Sequence, residues 1–162
     1  MKARAVLAGL LLGLHAALVL PMEGTLGKNE QPIHDAARLG KRADVEKILK
    51  DNPAARDAKS ELGSTPLHYA ALNEDAGPLK ALIAAGANIH ARDREGNTPL
   101  HMAAYATRSE HTKLLLEAGA DPNVKNEGGR DVLSLARKVR ADQVAGIISL
   151  WLLKGCKAGK PC

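Results

Sequence analysis

One period dominates this sequence, because the same pattern of residues returns every 33 positions. The segments that begin at Gly63 and Gly96 align without a gap, and the later glycines Gly86 and Gly119 keep the same spacing. A weaker copy precedes these segments and another follows them. The period therefore divides residues 25–154 into four units, at about 29–59, 60–92, 93–125 and 126–154. Units of this kind stack on one another, because none can bury its apolar side alone.

Each central unit carries the residues that begin and end a pair of helices. Thr65 stands where an N-cap hydroxyl is favoured, and Pro66 follows at the first helical position, where an N–H is not needed. Gly86 supplies the left-handed residue that ends the second helix, and Asn88 begins the turn to the next unit. The same pattern returns one period later, with Asp121 in place of Asn88. It predicts an all-α fold with β-turn connections.

These motifs resemble a known family. The sequence G-x-TPLH-x-AA, followed by LLLEAGADPN, is similar to the ankyrin repeat, and the outer two copies depart from it in the way that terminal units do. The resemblance implies a solenoid of four stacked helix-turn-helix repeats. It also implies protein binding along one concave strip, formed by the turns and by the exposed side of each first helix.

Composition and missing motifs exclude several classes of function. The chain has one Trp, two Tyr and no Phe, which is too few rings for a platform that stacks nucleic-acid bases. It contains no metalloprotease, nucleophile-elbow or phosphate-loop motif, so we expect neither an enzyme nor a cofactor. Its formal net charge is +5, with seven basic residues against two acidic ones from residue 130 onwards. That excess predicts a solvated end repeat, or alternatively attraction to an acidic protein or anionic lipid.

Three histidines recur at the same place in successive units. His34, His68 and His101 follow one another at the period of the repeat, to within one position, and each stands near the start of a first helix. A metal site would need them to converge on one point together with acidic partners. We expect instead that each imidazole binds backbone in the adjacent turn and links neighbouring units. His90 and His111 are isolated, and we expect them on the surface.

The first 24 residues have the pattern of an export signal. Lys2 and Arg4 precede an apolar run over 5–20, and Pro21 ends it. About 15 apolar residues suit a secretory signal better than a spanning helix, which needs about 20. We therefore predict a signal peptide over 1–24 and a periplasmic or secreted protein. The alternative is an uncleaved anchor, the only case in which we expect membrane association.

The two cysteines both follow the last predicted helix. Cys156 and Cys162 lie in the tail, residues 155–162, and in an exported protein such a pair favours a disulfide. Zinc would need more ligands than lie nearby, and the spacing is not the C-x-x-C of redox proteins. A disulfide here would hold the tail in place.

The repeat frame predicts which side chains would contact a partner. Eight residues fall on turn tips or on the open side of the first helices: Leu62, Tyr69, Leu72, Arg94, Asn97, Met102, Tyr105 and Arg130. Tyr and Met are enriched as anchors in interfaces, and Arg is enriched with them. The alternative is that the two tyrosines only pack against the side of the groove.

Together these features predict an exported protein-binding module that is monomeric alone. The family resemblance implies two candidate roles. One is an immunity protein that inhibits a toxin or hydrolase, and the other is a factor that protects the envelope from oxidants. A membrane-tethered adaptor is a third possibility if the N-terminal segment is uncleaved.

Overall fold

The computed structural model describes residues 30–157, and this part of the chain is helical and contains no β-strand. The predicted all-α class is therefore confirmed. Eight α-helices follow one another in pairs: α1 (Pro32–Leu39), α2 (Arg42–Asp51), α3 (Pro66–Ala70), α4 (Ala76–Ala84), α5 (Pro99–Tyr105), α6 (Ser109–Glu117), α7 (Val132–Lys138) and α8 (Asp142–Leu153). A short 3-10 helix, Pro53–Asp57, follows α2. The predicted signal over 1–24 and the residue Cys162 lie outside the described residues, so both the signal and the disulfide stay predictions.

The helices form two layers. Helices α1, α3, α5 and α7 pack side by side in the first layer, and α2, α4, α6 and α8 pack in the second. We call these the inner and the outer helices. Each helix contacts the equivalent helix of a neighbouring repeat as well as its own partner, which is the arrangement of a solenoid.

Small residues allow the inner helices to approach closely. Ala37, Ala70, Ala103 and Ala136 each follow the one before by one period, and none of them is exposed to solvent. Larger side chains such as the fully buried Leu67 fill the space between the layers. Burying a leucine of this kind contributes about 2 kcal/mol to folding. A core made of Ala, Leu, Ile and Val explains how the chain folds with so few aromatic rings.

The connections between repeats are β-turns, as predicted. In the first of them the Gly63 N–H donates to the Ser60 carbonyl over 2.9 Å, and Gly63 has a φ of 75°. A residue with a side chain is strained in that conformation. Successive tips are also joined, because the Arg94 N–H donates to the Leu62 carbonyl at 2.9 Å. The tips therefore form one continuous edge beside the inner helices.

Among residues 30–157, no helix combines the length and the apolar character that crossing a bilayer requires.

Candidate protein-binding surface

One position at or just after the end of each inner helix forms a stripe along the whole stack. Leu39, Leu72, Tyr105 and Lys138 are spaced by one period each, so they occupy the same place in four successive repeats. Leu39 is 79% exposed and Tyr105 63% exposed, while Leu72 is half-buried. We call these four residues the inner-helix face. Its first three members are apolar, and its last is a cation.

Sequence reasoning missed Leu39 as a member of this face. The first repeat matches the motif poorly, so its frame was less evident than that of the central repeats. The signal was present nonetheless, because Leu39 lies one period before Leu72, which the prediction included.

A pocket of about 310 Å³ opens beside Tyr105, between α5 and the fourth repeat. Its lining includes four of the predicted partner-binding residues: Asn97, Met102, Tyr105 and Arg130. Leu135 of α7 and Glu95 of the tip complete its apolar and acidic sides. The structure therefore brings half of the predicted set together at one place.

Hydrogen bonds between side chains hold the rim of this pocket. The Asn126 side-chain N–H donates to the Asn97 side-chain oxygen at 2.8 Å, which joins two successive tips. The amide nitrogen of Asn97 in turn donates to carboxylate oxygens of Glu95 at 3.2 Å and Asp93 at 3.3 Å. Both the oxygen and the nitrogen of the Asn97 side chain are therefore hydrogen-bonded to other residues of the protein. Its evident role is to position the tips.

Two further predicted residues, Leu62 and Arg94, lie on neighbouring tips. Leu62 is 63% exposed, and Arg94 is exposed as well. They are held next to each other by the backbone hydrogen bond between the tips. Their position extends the surface from the inner-helix face toward the turns.

The expectation that Tyr69 is exposed is wrong. Its side chain is only 9% exposed, and its hydroxyl donates to Glu30 Oε1 at 2.8 Å. The ring meets the His34 ring edge-on, with centroids 5.4 Å apart, and the Arg38 guanidinium lies 5.5 Å from its centre. Burial raises the pKa of the Tyr69 phenol. The reason is local, since the equivalent residue of the first repeat is the small Ala36, and the ring packs onto α1.

The three periodic histidines link the repeats as predicted. His68 Nδ1 accepts from the Thr65 N–H at 3.1 Å, so Nε2 carries the proton and donates to the Asn97 carbonyl at 3.0 Å. His34 reaches the Ala58 carbonyl at 3.0 Å and His101 the Arg130 carbonyl at 3.1 Å. Each imidazole therefore joins the start of one inner helix to the segment that leads to the next.

Burial keeps the central imidazoles neutral. Desolvation lowers the pKa of His68 and of His101, although each imidazole donates to a backbone carbonyl that acts in the opposite direction. Within residues 30–157 no group of His, Cys, Asp and Glu has an arrangement that could hold a metal ion. The chemistry of this row is hydrogen bonding between repeats.

The expectation that His111 lies on the surface is also wrong. It is 2% exposed at the start of α6, and burial lowers its pKa. Its Nε2 atom has no hydrogen-bond partner among the described residues. The repeat period contained a sign of this burial, because the equivalent residues of the other repeats, Val45, Pro78 and Val144, are apolar and buried.

The arginines divide into two groups along the stack. Five of them form ion pairs with carboxylates: Arg38, Arg42, Arg56, Arg92 and Arg108. Arg94 and Arg130, which border the inner-helix face, have no such partner among the described residues, and both are exposed. Their guanidinium groups are available to an acidic group from outside.

Helix pairs stacked in two layers define a repeat protein of the solenoid type. Residues 33–126 match the family model of ankyrin repeats, in three copies. The match covers more than half of the sequence, and the chain belongs to the ankyrin-repeat family. Ankyrin repeats are protein–protein interaction modules and typically act as non-catalytic binding scaffolds. The fourth helix pair lies beyond the matched residues.

Proposed function

We propose that this chain is an exported module that binds a partner protein through its inner-helix face and inhibits it. The observation that carries the proposal is the apolar stripe of exposed Leu39, half-buried Leu72 and exposed Tyr105, which continues into the pocket beside Tyr105. Large exposed apolar side chains in a row favour an interaction surface, whereas single ones do not. Exposed tyrosine is also enriched among the residues that contribute most to binding.

The charges around the stripe indicate the chemistry of the partner. Arg94 and Arg130 lack ion pairs within the described chain, and Lys138 ends the stripe. Complementary charge increases the rate of association and fixes orientation. We therefore expect the bound surface to place an apolar side chain against Tyr105 and Met102, with carboxylates next to the arginines.

Export is supported by the sequence of the first 24 residues. Two cations, an apolar run over 5–20 and Pro21 follow the order of a secretory signal. An uncleaved segment would make the same module a membrane-tethered adaptor. N-terminal sequencing of the protein recovered from the cell envelope separates these two forms, because only the adaptor retains Met1.

The role of the complex has two candidate forms. An immunity protein forms a tight one-to-one complex and inhibits one enzyme. A factor in oxidative defence would instead leave the cell sensitive to peroxide when deleted, with no inhibited enzyme. We favour inhibition, because the stripe and the pocket form one continuous surface that can cover part of another protein.

Site-specific photo-crosslinking tests the proposal. A photoreactive amino acid at position 105 is expected to capture one partner protein in living cells. Lys47, exposed on the outer helix α2, is the matched control position and should capture none. The purified partner is then assayed as an enzyme with and without the chain. Capture at position 47 but not at position 105 would contradict the proposed surface.

A further inference from the structure

The last outer helix is longer than those before it. Helices α4 and α6 stop at Ala84 and Glu117, and left-handed glycines follow at Gly86 and Gly119, with φ of 76° and 112°. The equivalent residue of the fourth repeat is Leu152, and the left-handed glycine comes only at Gly155. Because the stop signal is displaced toward the C-terminus, α8 continues to Leu153. Most of one further turn extends past the level at which the other outer helices end.

The added turn is apolar and open to solvent. Leu150 is 52% exposed, Leu152 40% and Leu153 84%. Trp151 is partly buried and packs against the core. We call residues 150–153 the α8 end. A terminal repeat is expected to have a polar outer side, so this exposure is unusual for its position in the stack.

Three lysines and two acidic residues border the α8 end: Lys113, Lys154 and Lys157, with Glu117 and Asp121. Ile147, Leu150 and Trp151 line a groove of about 170 Å³ together with Lys113, Glu117 and Lys154. Lys157 follows in the chain and is exposed. Glu117 is the one acid of the groove, and it stands against two lysines there.

We propose that the α8 end inserts into the headgroup region of an anionic lipid bilayer. Helices that lie at a membrane surface combine exposed Leu and Trp with Lys on the neighbouring side. Tryptophan is enriched at the level of the headgroups, and lysine side chains extend toward phosphate while their methylene groups stay in apolar surroundings. The α8 end has exposed leucines with lysines nearby, and the partly buried Trp151 lies between them in the sequence. It lies on an outer helix, so the inner-helix face would stay open to a partner.

A second copy of the chain fits this surface less well. Two copies that meet symmetrically at Leu150 and Leu153 would bring their Lys154 side chains together, and like charges repel. The exposed apolar patch is also confined to one turn of one helix, whereas a stable interface buries on the order of 1,000 Å² or more. The positive rim instead complements a negative lipid surface.

The chain contains a natural reporter for this contact, because Trp151 is its single tryptophan. The experiment mixes the full chain with vesicles of phosphatidylcholine, with or without phosphatidylglycerol, and records tryptophan emission. With phosphatidylglycerol we expect a shift to shorter wavelength and quenching by brominated acyl chains. With phosphatidylcholine alone we expect little change. Because residues 5–20 could also bind lipid, the Trp151 signal is the readout and total vesicle binding is not.

A matched pair of variants identifies the surface. L150S/L153S is expected to weaken the lipid-dependent Trp151 signal by at least about tenfold in apparent partitioning, since it removes two exposed leucines. L39S removes an equally exposed leucine from the first repeat and should leave the signal unchanged. Circular dichroism should show both variants folded, because each of the three replaced leucines is more than half exposed.

Three results would overturn the proposal. One is an unchanged Trp151 spectrum with phosphatidylglycerol vesicles, and another is a lipid response that L150S/L153S retains. The third is a lipid-independent shift that rises with protein concentration, with a dimer seen by sedimentation, which would assign the α8 end to a second copy. A negative result in this test leaves crosslinking at position 105 unaffected. Lipid binding by the α8 end and partner binding by the inner-helix face are therefore tested independently.

Discussion

The two central repeats and the fourth repeat each consist of an inner and an outer helix, but different side-chain interactions stabilise them. In the central repeats a histidine joins the helix start to the following segment, and arginines such as Arg92 and Arg108 are paired with carboxylates. The fourth repeat has no histidine, and its first helix is capped by Asp131, whose carboxylate accepts from the Ser134 N–H at 2.7 Å. Its arginines have no ion pair among the described residues: Arg130, Arg137 and Arg140.

The difference follows from the number of neighbours. A central repeat contacts a repeat on both sides, so its caps, alanines and ion pairs must fit both. The fourth repeat contacts the third on one side and no further repeat in the described chain. Its outward side chains are free of that packing constraint, and there the chain has unpaired cations and the apolar α8 end. The side chains that stabilise the stack therefore concentrate in the central repeats. The side chains that are free to contact other molecules lie along the inner-helix face and at the α8 end.

Replacing a linking histidine should have the largest effect on stability. His68→Ala leaves the buried Thr65 N–H and the Asn97 carbonyl without their partner. We expect the free energy of unfolding to fall by about 3 kcal/mol, since each unsatisfied buried group costs about 1–3 kcal/mol. Urea denaturation measures this loss. If His68→Ala lowers the free energy of unfolding no more than Asp131→Ala in the fourth repeat does, the proposed difference between the repeats is wrong.

Mild acid should have a smaller effect that also acts through the buried histidines. Burial holds the folded pKa values of His68, His101 and His111 below 6.5, the ordinary value for histidine. The unfolded chain therefore binds more protons as the pH falls below about 6.5, so their contribution to stability is full above that pH and declines below it. The carboxyl pKa values of Glu110 and Asp131 are lowered from 4.5 and 3.8, so those groups act only in stronger acid.

Urea midpoints measured from about pH 7.5 to about pH 5.5 check this expectation, because that range spans the ordinary pKa of histidine. The midpoint should decrease steadily as the pH falls across that range. A midpoint that stays constant or rises would show that the imidazoles are not held neutral by burial.

Removing the cap of the fourth repeat should cost less than removing a linking histidine. Asp131→Ala deletes a hydrogen bond to the Ser134 N–H at the solvent-accessible start of α7. An N-cap of this kind contributes about 1 kcal/mol. Thermal unfolding followed by circular dichroism measures the change, with Asp131→Asn as the control that keeps an acceptor. A loss of stability as large as that of His68→Ala would contradict the proposed difference between the central repeats and the fourth repeat.

The outcome for individual residues shows what the sequence could predict. The period predicted the all-α stack, the β-turns and the linking histidines, because these features recur and each must satisfy the same neighbours. It did not predict that Tyr69 is buried. That depends on the small Ala36 one repeat earlier and on the pairing of the Tyr69 hydroxyl with Glu30. His111 was mistaken for a surface residue because histidine is polar, although the equivalent residues Val45, Pro78 and Val144 mark that position as buried.

The candidate protein-binding surface was predicted less completely than the fold, because it depends on side-chain contacts that do not recur in every repeat. The structure brings Tyr105 and Arg130 to one pocket, and their binding of a partner stays a prediction. The hydrogen bond between Asn97 and Asn126 could not be predicted from the period. Tyr69 and Tyr105 occupy different positions of the repeat, since Tyr69 is equivalent to Met102 and Tyr105 to Leu72. Tyr69 packs onto the preceding repeat, whereas Tyr105 is 63% exposed.

The most direct test measures binding and stability together in the variant Tyr105→Ala. Tyr105 is 63% exposed at the junction of the central repeats and the fourth. We expect its loss to change the free energy of unfolding by less than about 0.5 kcal/mol, as for a surface substitution. Affinity for the partner captured at position 105 should fall by at least about tenfold, as for an interface anchor. A marked loss of stability with undiminished binding would contradict the account.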